Sequence, residues 1–388
     1  FNGDPFFGTD NLPFSSSYIE NGAGQYFISP NDEKRGPFAD AEPVSHNIFY
    51  SRYHKSKYFC SACHDVSNPV LANMDQDGTT PLITESESAY AYYHVERTFS
   101  EFMLSDYGQQ GGAAGSGAFA PEVFNTSLAN NYIARCQDCH MRDVQGQGAE
   151  KDVPVRPDES VEHPKSGLPM HDMTGGNAWV SYVLASTVPG SANYDATNDA
   201  LLNQGPATLT LDLSQGQGVN AEALLAGVDR AKQMLEEAAS IEDLAYDDDS
   251  GEISFRILNH TGHKLISGFQ EGRRMFINIR LFDNDELVYE VNPYDEAAGT
   301  LKGLDYSYQP DPNGVLPAPQ VLDPGSETYF DELVYEIHPS STLTDEQKTF
   351  HFALATGRSK DNRIPPKGFR INEAADRLAE PVWEGEPD

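Results

Sequence analysis

Cys60-Ser61-Ala62-Cys63-His64 and Cys136-Gln137-Asp138-Cys139-His140 hold every cysteine of this 388-residue chain. Two thiols three residues apart lie on one face of a helical turn, and a histidine follows at once. That is the attachment pattern of c-type haem, in which the thiols form thioethers with the porphyrin vinyl groups and the imidazole ligates the iron. Cys60, Cys63, Cys136 and Cys139 are therefore the expected anchors of two covalent haems, with His64 and His140 as proximal ligands. Two such pairs could instead share one zinc, and a single pair could be a redox disulfide. The histidine after each pair, with no cysteine left over, favours haem.

Working outward, the length allows two or three domains and a sizeable core. No apolar run approaches bilayer length, so no membrane span is expected. The chain starts at Phe1 without a basic and then apolar leader, and reads as a mature exported chain. Haem attachment outside the cytoplasm points the same way, to an extracellular, cell-surface or periplasmic location. Twenty-six Lys and Arg stand against 60 Asp and Glu, a net charge of −34. Such a chain does not neutralise phosphate, which excludes nucleic acid as a partner. The acidic excess reads mainly as a solubilising surface, with bound Ca²⁺, a saline habitat or a basic redox partner as sharper alternatives. Asp247-Asp248-Asp249 and Asp283-Asn284-Asp285-Glu286 look like hairpin turns and lack EF-hand ligand spacing.

The two halves differ in character. Residues 1–205 are rich in Gly, Asn, Ser and aromatics and carry both motifs, with short helices expected over 45–57 and 84–107 and a flexible loop over 108–115. The porphyrins would supply much of that core. Residues 206–388 open with an alternating strand at 208–213 and the strongest helix signal, 220–240, with Leu224, Leu225, Val228, Ala231, Met234 and Leu235 on one face. Strands are expected at 252–258, 275–282, 286–291, 328–337 and 349–355. The fold class is α+β: an irregular to helical dihaem domain over 1–205, then an antiparallel β-sandwich-like domain over 206–388 with one leading helix.

Of the 11 histidines, nine remain to complete two irons. His263 leaves a strand in a Gly-containing turn, Asn259-His260-Thr261-Gly262-His263-Lys264, that can project an imidazole toward another domain. His171 lies among glycines (Gly167 to Asn177) that allow close backbone approach to a flat ligand. His46 and His54 are eight residues apart before the first motif, roughly one helical face. His338 and His351 read as structural. Met170 and Met173 are competing axial ligands, and bis-histidine ligation by His171, His263 or His46 is the reading taken.

Several stretches together resemble a family of bacterial multihaem c-type cytochromes. They are Phe59 to Pro69 around the first motif, Cys136 to Met141, His171 to Asn177, NHTGHKLISGFQEGRR over 259–274, and DNRIPPKGF over 361–369. The resemblance implies linked haem and β domains serving electron transfer, and functional roles for His171 and His263. Relatives carry Pro-Thr where Ile266-Ser267 stand, and extend past the position of Asp388.

Function follows as a carrier: two haems with filled axial positions pass electrons to a redox partner protein or an extracellular acceptor. A homopolymer, a filament with haem ligands crossing between subunits, is one form of it. The alternative is a haem enzyme, a peroxidase or nitrogen-oxide reductase, with one open iron position. No nucleophile elbow or dinucleotide fingerprint marks another catalytic centre.

Overall fold

The computed structural model describes residues 34–36, 48–50, 52–66, 96–126, 128–141, 143–144, 168–169, 173–203, 218–304, 327–349 and 355–388. Six α-helices lie among them: α1 (Tyr58–Ser61), α2 (Thr98–Leu104), α3 (Cys136–His140), α4 (Trp179–Ser186), α5 (Ala196–Leu202) and α6 (Ala221–Glu236). Helices combine with antiparallel strands, so the class is α+β.

The strands are short in the first half and longer in the second. The first four are β1 (Lys34–Gly36), β2 (Ile48–Tyr50), β3 (Asp143–Val144) and β4 (Leu168–Pro169). Then come β5 (Ala239–Tyr246), β6 (Ile253–Asn259), β7 (Met275–Phe276), β8 (Ile279–Asp283), β9 (Glu286–Val291), β10 (Tyr294–Asp295) and β11 (Thr300–Leu301). The last are β12 (Val334–Tyr335), β13 (Ile337–Ser340), β14 (Gly357–Asp361), β15 (Val382–Trp383) and β16 (Glu386–Pro387). β13 to β16 form one four-stranded antiparallel sheet, while β5–β6, β8–β9 and β7–β12 are two-stranded antiparallel ladders.

Local chemistry explains the elements and where they depart from the sequence pattern. Asn220 caps α6 by accepting from the Ala223 backbone N–H at 3.0 Å, and Val228 and Ala231 of the expected face are buried. α6 ends at Glu236 instead of running to 240, because Ala239 and Ser240 pair with Asn259 and Leu258 in a ladder. Both acidic clusters are turns. Asp247 Oδ1 accepts from the N–H groups of Asp249 and Ser250, and Asn284 and Asp285 adopt the left-handed backbone of a tight hairpin. The helix expected over 45–57 is instead strand β2 followed by a 3₁₀ turn, Arg52–Lys55, before α1. Its aromatic-rich sequence favours extended pairing with β1. Of 84–107, the described part is helical only from Thr98 to Leu104, after which Ser105 takes an extended backbone and caps a 3₁₀ turn.

The strand expected over 275–282 is broken between β7 and β8, and that over 328–337 begins only at β12, after a 3₁₀ turn at Asp331–Leu333. The strand signal at 349–355 lies mostly outside the described residues, and β14 follows it. The signal at 208–213 lies wholly outside them. The glycine-rich loop over 108–115 is packed, not free. Ala113 pairs with Ile133, Lys367 Nζ donates to the Ala114 carbonyl at 3.1 Å, and a Cβ at Gly112 would collide with the Ile133 carbonyl.

Among the described residues α2 is buried along most of its length. Phe99, Ser100, Glu101, Phe102 and Leu104 are all buried. Phe102, Tyr107, Phe119 and Ile133 form one apolar cluster, against which Cys139 of the second motif packs. Leu104 packs with Ala374 and Ala379, far along the chain. Residues 361–370 wrap this helix: Arg370 N–H donates to the Leu104 carbonyl at 3.0 Å and the Asp106 N–H to the Lys367 carbonyl at 3.0 Å. Beneath that wrap Glu101, Lys264, Asp361 and Arg363 form a buried ionic cluster, so residues from both halves share one interior.

Candidate functional site

Each cysteine motif is fixed by its own anchor. In the first, the His64 N–H donates to the Cys60 carbonyl at 2.9 Å, closing the turn that sets both thiols beside the imidazole. The next residue, Asp65, is fully buried and accepts from Arg97 Nη1 at 3.2 Å and Ser100 Oγ at 2.7 Å. This pins the motif to the first turn of α2. In the second, Asp138 lies inside the motif. Its carboxylate accepts from the N–H groups of Ala134 and Arg135, both at 3.0 Å, and pairs with Arg135 Nη2 at 2.9 Å, capping α3.

The two motifs touch. Gln137 Nε2 donates to the Ser56 carbonyl at 2.9 Å, and the thiols of Cys60 and Cys136 are hydrogen-bonding neighbours. That bond, together with burial, pushes the Cys136 thiol up and keeps it neutral.

Three imidazoles share one mode of support. Nδ1–H of His64 donates to Glu96 Oε1 at 3.2 Å, that of His140 to the Thr174 carbonyl at 2.6 Å, and that of His263 to the Lys264 carbonyl at 3.1 Å. A histidine held this way presents Nε2 as its ligand nitrogen. The His140 and His263 rings lie 6.3 Å apart between centroids, with their planes 14° from parallel. An imidazole nitrogen sits about 2 Å from a bound metal and about 1.2 Å from its own ring centre, so two imidazoles on opposite sides of one metal have centres about 6.4 Å apart. The spacing of the pair thus matches that of two imidazoles flanking one metal, and Cys136 and Cys139 lie on the same turn as His140.

The turn that delivers His263 is tightly built. Asn259 Nδ2 donates to the carbonyls of His263 and Ile364 at 2.8 and 3.0 Å, and Thr261 Oγ1 donates to the His263 carbonyl at 2.8 Å. Gly262 passes against the Phe102 ring, where a Cβ would come within 2.8 Å of it. Burial lowers the His263 pKa, favouring the neutral ring that a metal requires. On the other side, Thr174 and Gly176 belong to the glycine stretch after His171. The Gly176 carbonyl accepts from Arg273 Nη2 at 3.3 Å, so this stretch braces His140 and ties it to the loop after His263.

The remaining histidines divide. His260 is used on both nitrogens, with Ser116 Oγ at 2.8 Å and Ser240 Oγ at 2.9 Å, and is structural. His338 Nε2 lies 3.1 Å from Glu336 Oε1, both side chains buried. His54 packs between the rings of Tyr53 and Phe59. His46 and His171 lie outside the described residues, as do His94, His163, His351 and Met170. Met173 is exposed. Among the described residues no three His, Cys, Asp or Glu side chains converge as a tetrahedral ion site demands, and no helix is long and apolar enough to cross a membrane.

No protein-family model, curated protein or solved structure matches the chain.

Sequence reading leaves Glu96 and Arg97 equally between a haem pocket and a surface helix; in the structure they hold His64 and Asp65. The signal was there: an acid directly after a haem motif needs a cationic partner when buried. Sequence reading missed Glu271, 8% exposed, whose Oε1 is buried with no hydrogen-bond partner. Burial pushes its carboxyl up to about 8; Arg363 opposes this, while Glu96 and Asp361 reinforce it. Because the folded value lies above the ordinary 4.5, the group's contribution to stability is complete below that pH and is lost as pH rises through 8. Glu271→Gln is expected to remove that decline. Urea unfolding should show the variant gaining on the order of 4 kcal/mol over the parent between pH 4.5 and pH 9, a pH-independent difference being the contrary result.

Proposed function

We propose that this chain is a dihaem c-type cytochrome, akin to the bacterial multihaem family it resembles, that carries electrons between redox partners outside the cytoplasm. The observation that carries the reading is the His140–His263 pair, whose ring centres stand 6.3 Å apart, the spacing of two imidazoles that flank one iron. The second haem would be anchored by Cys136 and Cys139 and held between those two rings. The first would be anchored by Cys60 and Cys63 on His64, with His46, His171 or a histidine of another subunit completing it. Bound haem supplies one-electron chemistry at iron. The chain's residues supply the rest: thioether anchors, ligands of fixed tautomer, and an apolar wall of Phe102, Tyr107, Phe119 and Ile133 behind Cys139.

Contact between Cys60 and Cys136 would bring the two porphyrin edges together, giving electrons a short path from one iron to the other. In this reading residues 1–205 form the haem domain, and residues 206–388 a β-sandwich-like domain that lends His263 to it. A periplasmic, cell-surface or extracellular location follows from haem attachment. The acidic surface suits a basic partner, and a subunit of a haem-stacking filament is one form the carrier takes.

The test is production in a host that matures c-type cytochromes, with intact mass and absorption spectra. Mass for two haems and a wholly low-spin spectrum that CO leaves unchanged are expected. Absence of covalent haem overturns the reading. A high-spin, CO-binding iron would instead favour the enzyme alternative, with one position open.

A further inference from the structure

We infer that Glu96 makes the haem on His64 the lower-potential member of the pair, giving the electron path a direction. This rests on the dihaem reading and concerns this chain's own residues around it.

The three supported imidazoles differ in their Nδ1 partner. The Nδ1–H groups of His140 and His263 face neutral backbone carbonyls, of Thr174 and Lys264. That of His64 faces a carboxylate, Glu96 Oε1 at 3.2 Å. The carboxylate is itself held, because the same oxygen accepts from Thr98 Oγ1 at 2.6 Å, and its side chain is only 16% exposed. Thr98 opens α2, directly after the buried Arg97–Asp65 pair that anchors the first motif. The carboxylate end of the contact is thus held beside the start of the helix, while the His64 side chain is 57% exposed.

The chemistry follows from charge. A carboxylate draws the Nδ1 proton toward itself and makes Nε2 a stronger donor. A stronger donor, with a negative charge nearby, stabilises ferric over ferrous iron, and hydrogen bonding around the ligands is one of the levers that set a haem potential. On the other haem, the acid that acts most on His263, Glu101, is paired with Arg363 at 2.7 Å, so its charge is partly compensated. The two irons are therefore unequal, with the electron resting on the haem of His140 and His263.

The experiment is a spectroelectrochemical titration of the holoprotein and of Glu96→Gln, which keeps the size and a hydrogen-bond acceptor but removes the charge. Haem content and the low-spin spectrum should stay as in the parent. The lower wave should rise by at least tenfold in its reduction equilibrium constant, about 59 mV for one electron. The upper wave should move less in the same direction, since Glu96 also reaches His263. Thr98→Val, which removes the hydroxyl orienting the carboxylate, should move the same wave by a smaller amount. A fully loaded Glu96→Gln protein whose lower wave stays in place, or whose upper wave moves more, overturns the inference and leaves the dihaem reading standing. A parent chain that carries no haem overturns the dihaem reading itself.

Discussion

His263→Ala is expected to turn one of two low-spin haems into a high-spin centre that binds CO, while the other stays low-spin. The substitution removes the ring that faces His140 at 6.3 Å. It leaves the Thr174 carbonyl on His140 Nδ1 and the four cysteines in place, so covalent loading should be unchanged. Half the haem should then show a CO-shifted Soret band, and added imidazole should restore the low-spin spectrum by occupying the vacated position. The neighbouring histidine supplies the control. His260 is committed to Ser116 and Ser240 on both nitrogens, so His260→Asn should alter stability without creating a CO-binding iron. If His263→Ala leaves both haems low-spin, His263 is not a ligand.

Arg363→Met should cost about 3–5 kcal/mol of stability, the range for breaking a buried ion pair from one side. The guanidinium lies 2.7 Å from Glu101 and 2.9 Å from each Asp361 oxygen, and also donates to the Ile266 carbonyl at 2.6 Å. Methionine keeps the apolar stem but leaves Glu101 facing its interior without that cation. Asp361 retains Lys264 at 3.1 Å and Arg358 at 2.9 Å, so the loss concentrates on α2 and on the segment that follows His263. Arg363, Lys264 and Arg358 together hold the Asp361 carboxyl well below the usual carboxylate range despite its burial. A depressed folded value stabilises above the unfolded one and is lost as pH falls through the folded one, so the cluster weakens only in strong acid. Denaturant titration of the holoprotein at neutral pH measures the effect. The double variant Arg363→Met/Glu101→Gln should be less destabilised than the sum of the singles, because the stranded charge is gone. A change below 1 kcal/mol for the single variant would show that the cluster is not a structural tie.

The parts of this site that could be read from sequence are those whose chemistry requires neighbouring residues. Each thiol pair with its histidine is one helical turn, and so announces itself. The Asn259–Lys264 turn is similar, since Asn259, Thr261 and Gly262 all act within five residues to set one backbone path. The hairpins β5–β6 and β8–β9 carried their acidic turn residues in plain view. Hidden instead were the long-range partners. Glu96 meets His64 across 32 positions, and Glu101 meets Arg363 across 262. Nothing in local periodicity encodes such pairings. For the same reason residues 108–115 read as a mobile glycine loop, although their glycines exist to let Ile133 and Phe119 approach the backbone closely. Helix signals failed where competing pairing was available, at β2 and at the junction of α6 with β5.

The contact between Cys60 and Cys136 has a consequence for biogenesis. The leading thiols of the two motifs are neighbours in the cofactor-free fold, so on the dihaem reading they could pair with each other in an oxidising compartment. On that reading maturation would be a race in which the attachment machinery must find both sulfurs reduced. A chain that lost it would be closed across its motifs and barred from both cofactors at once.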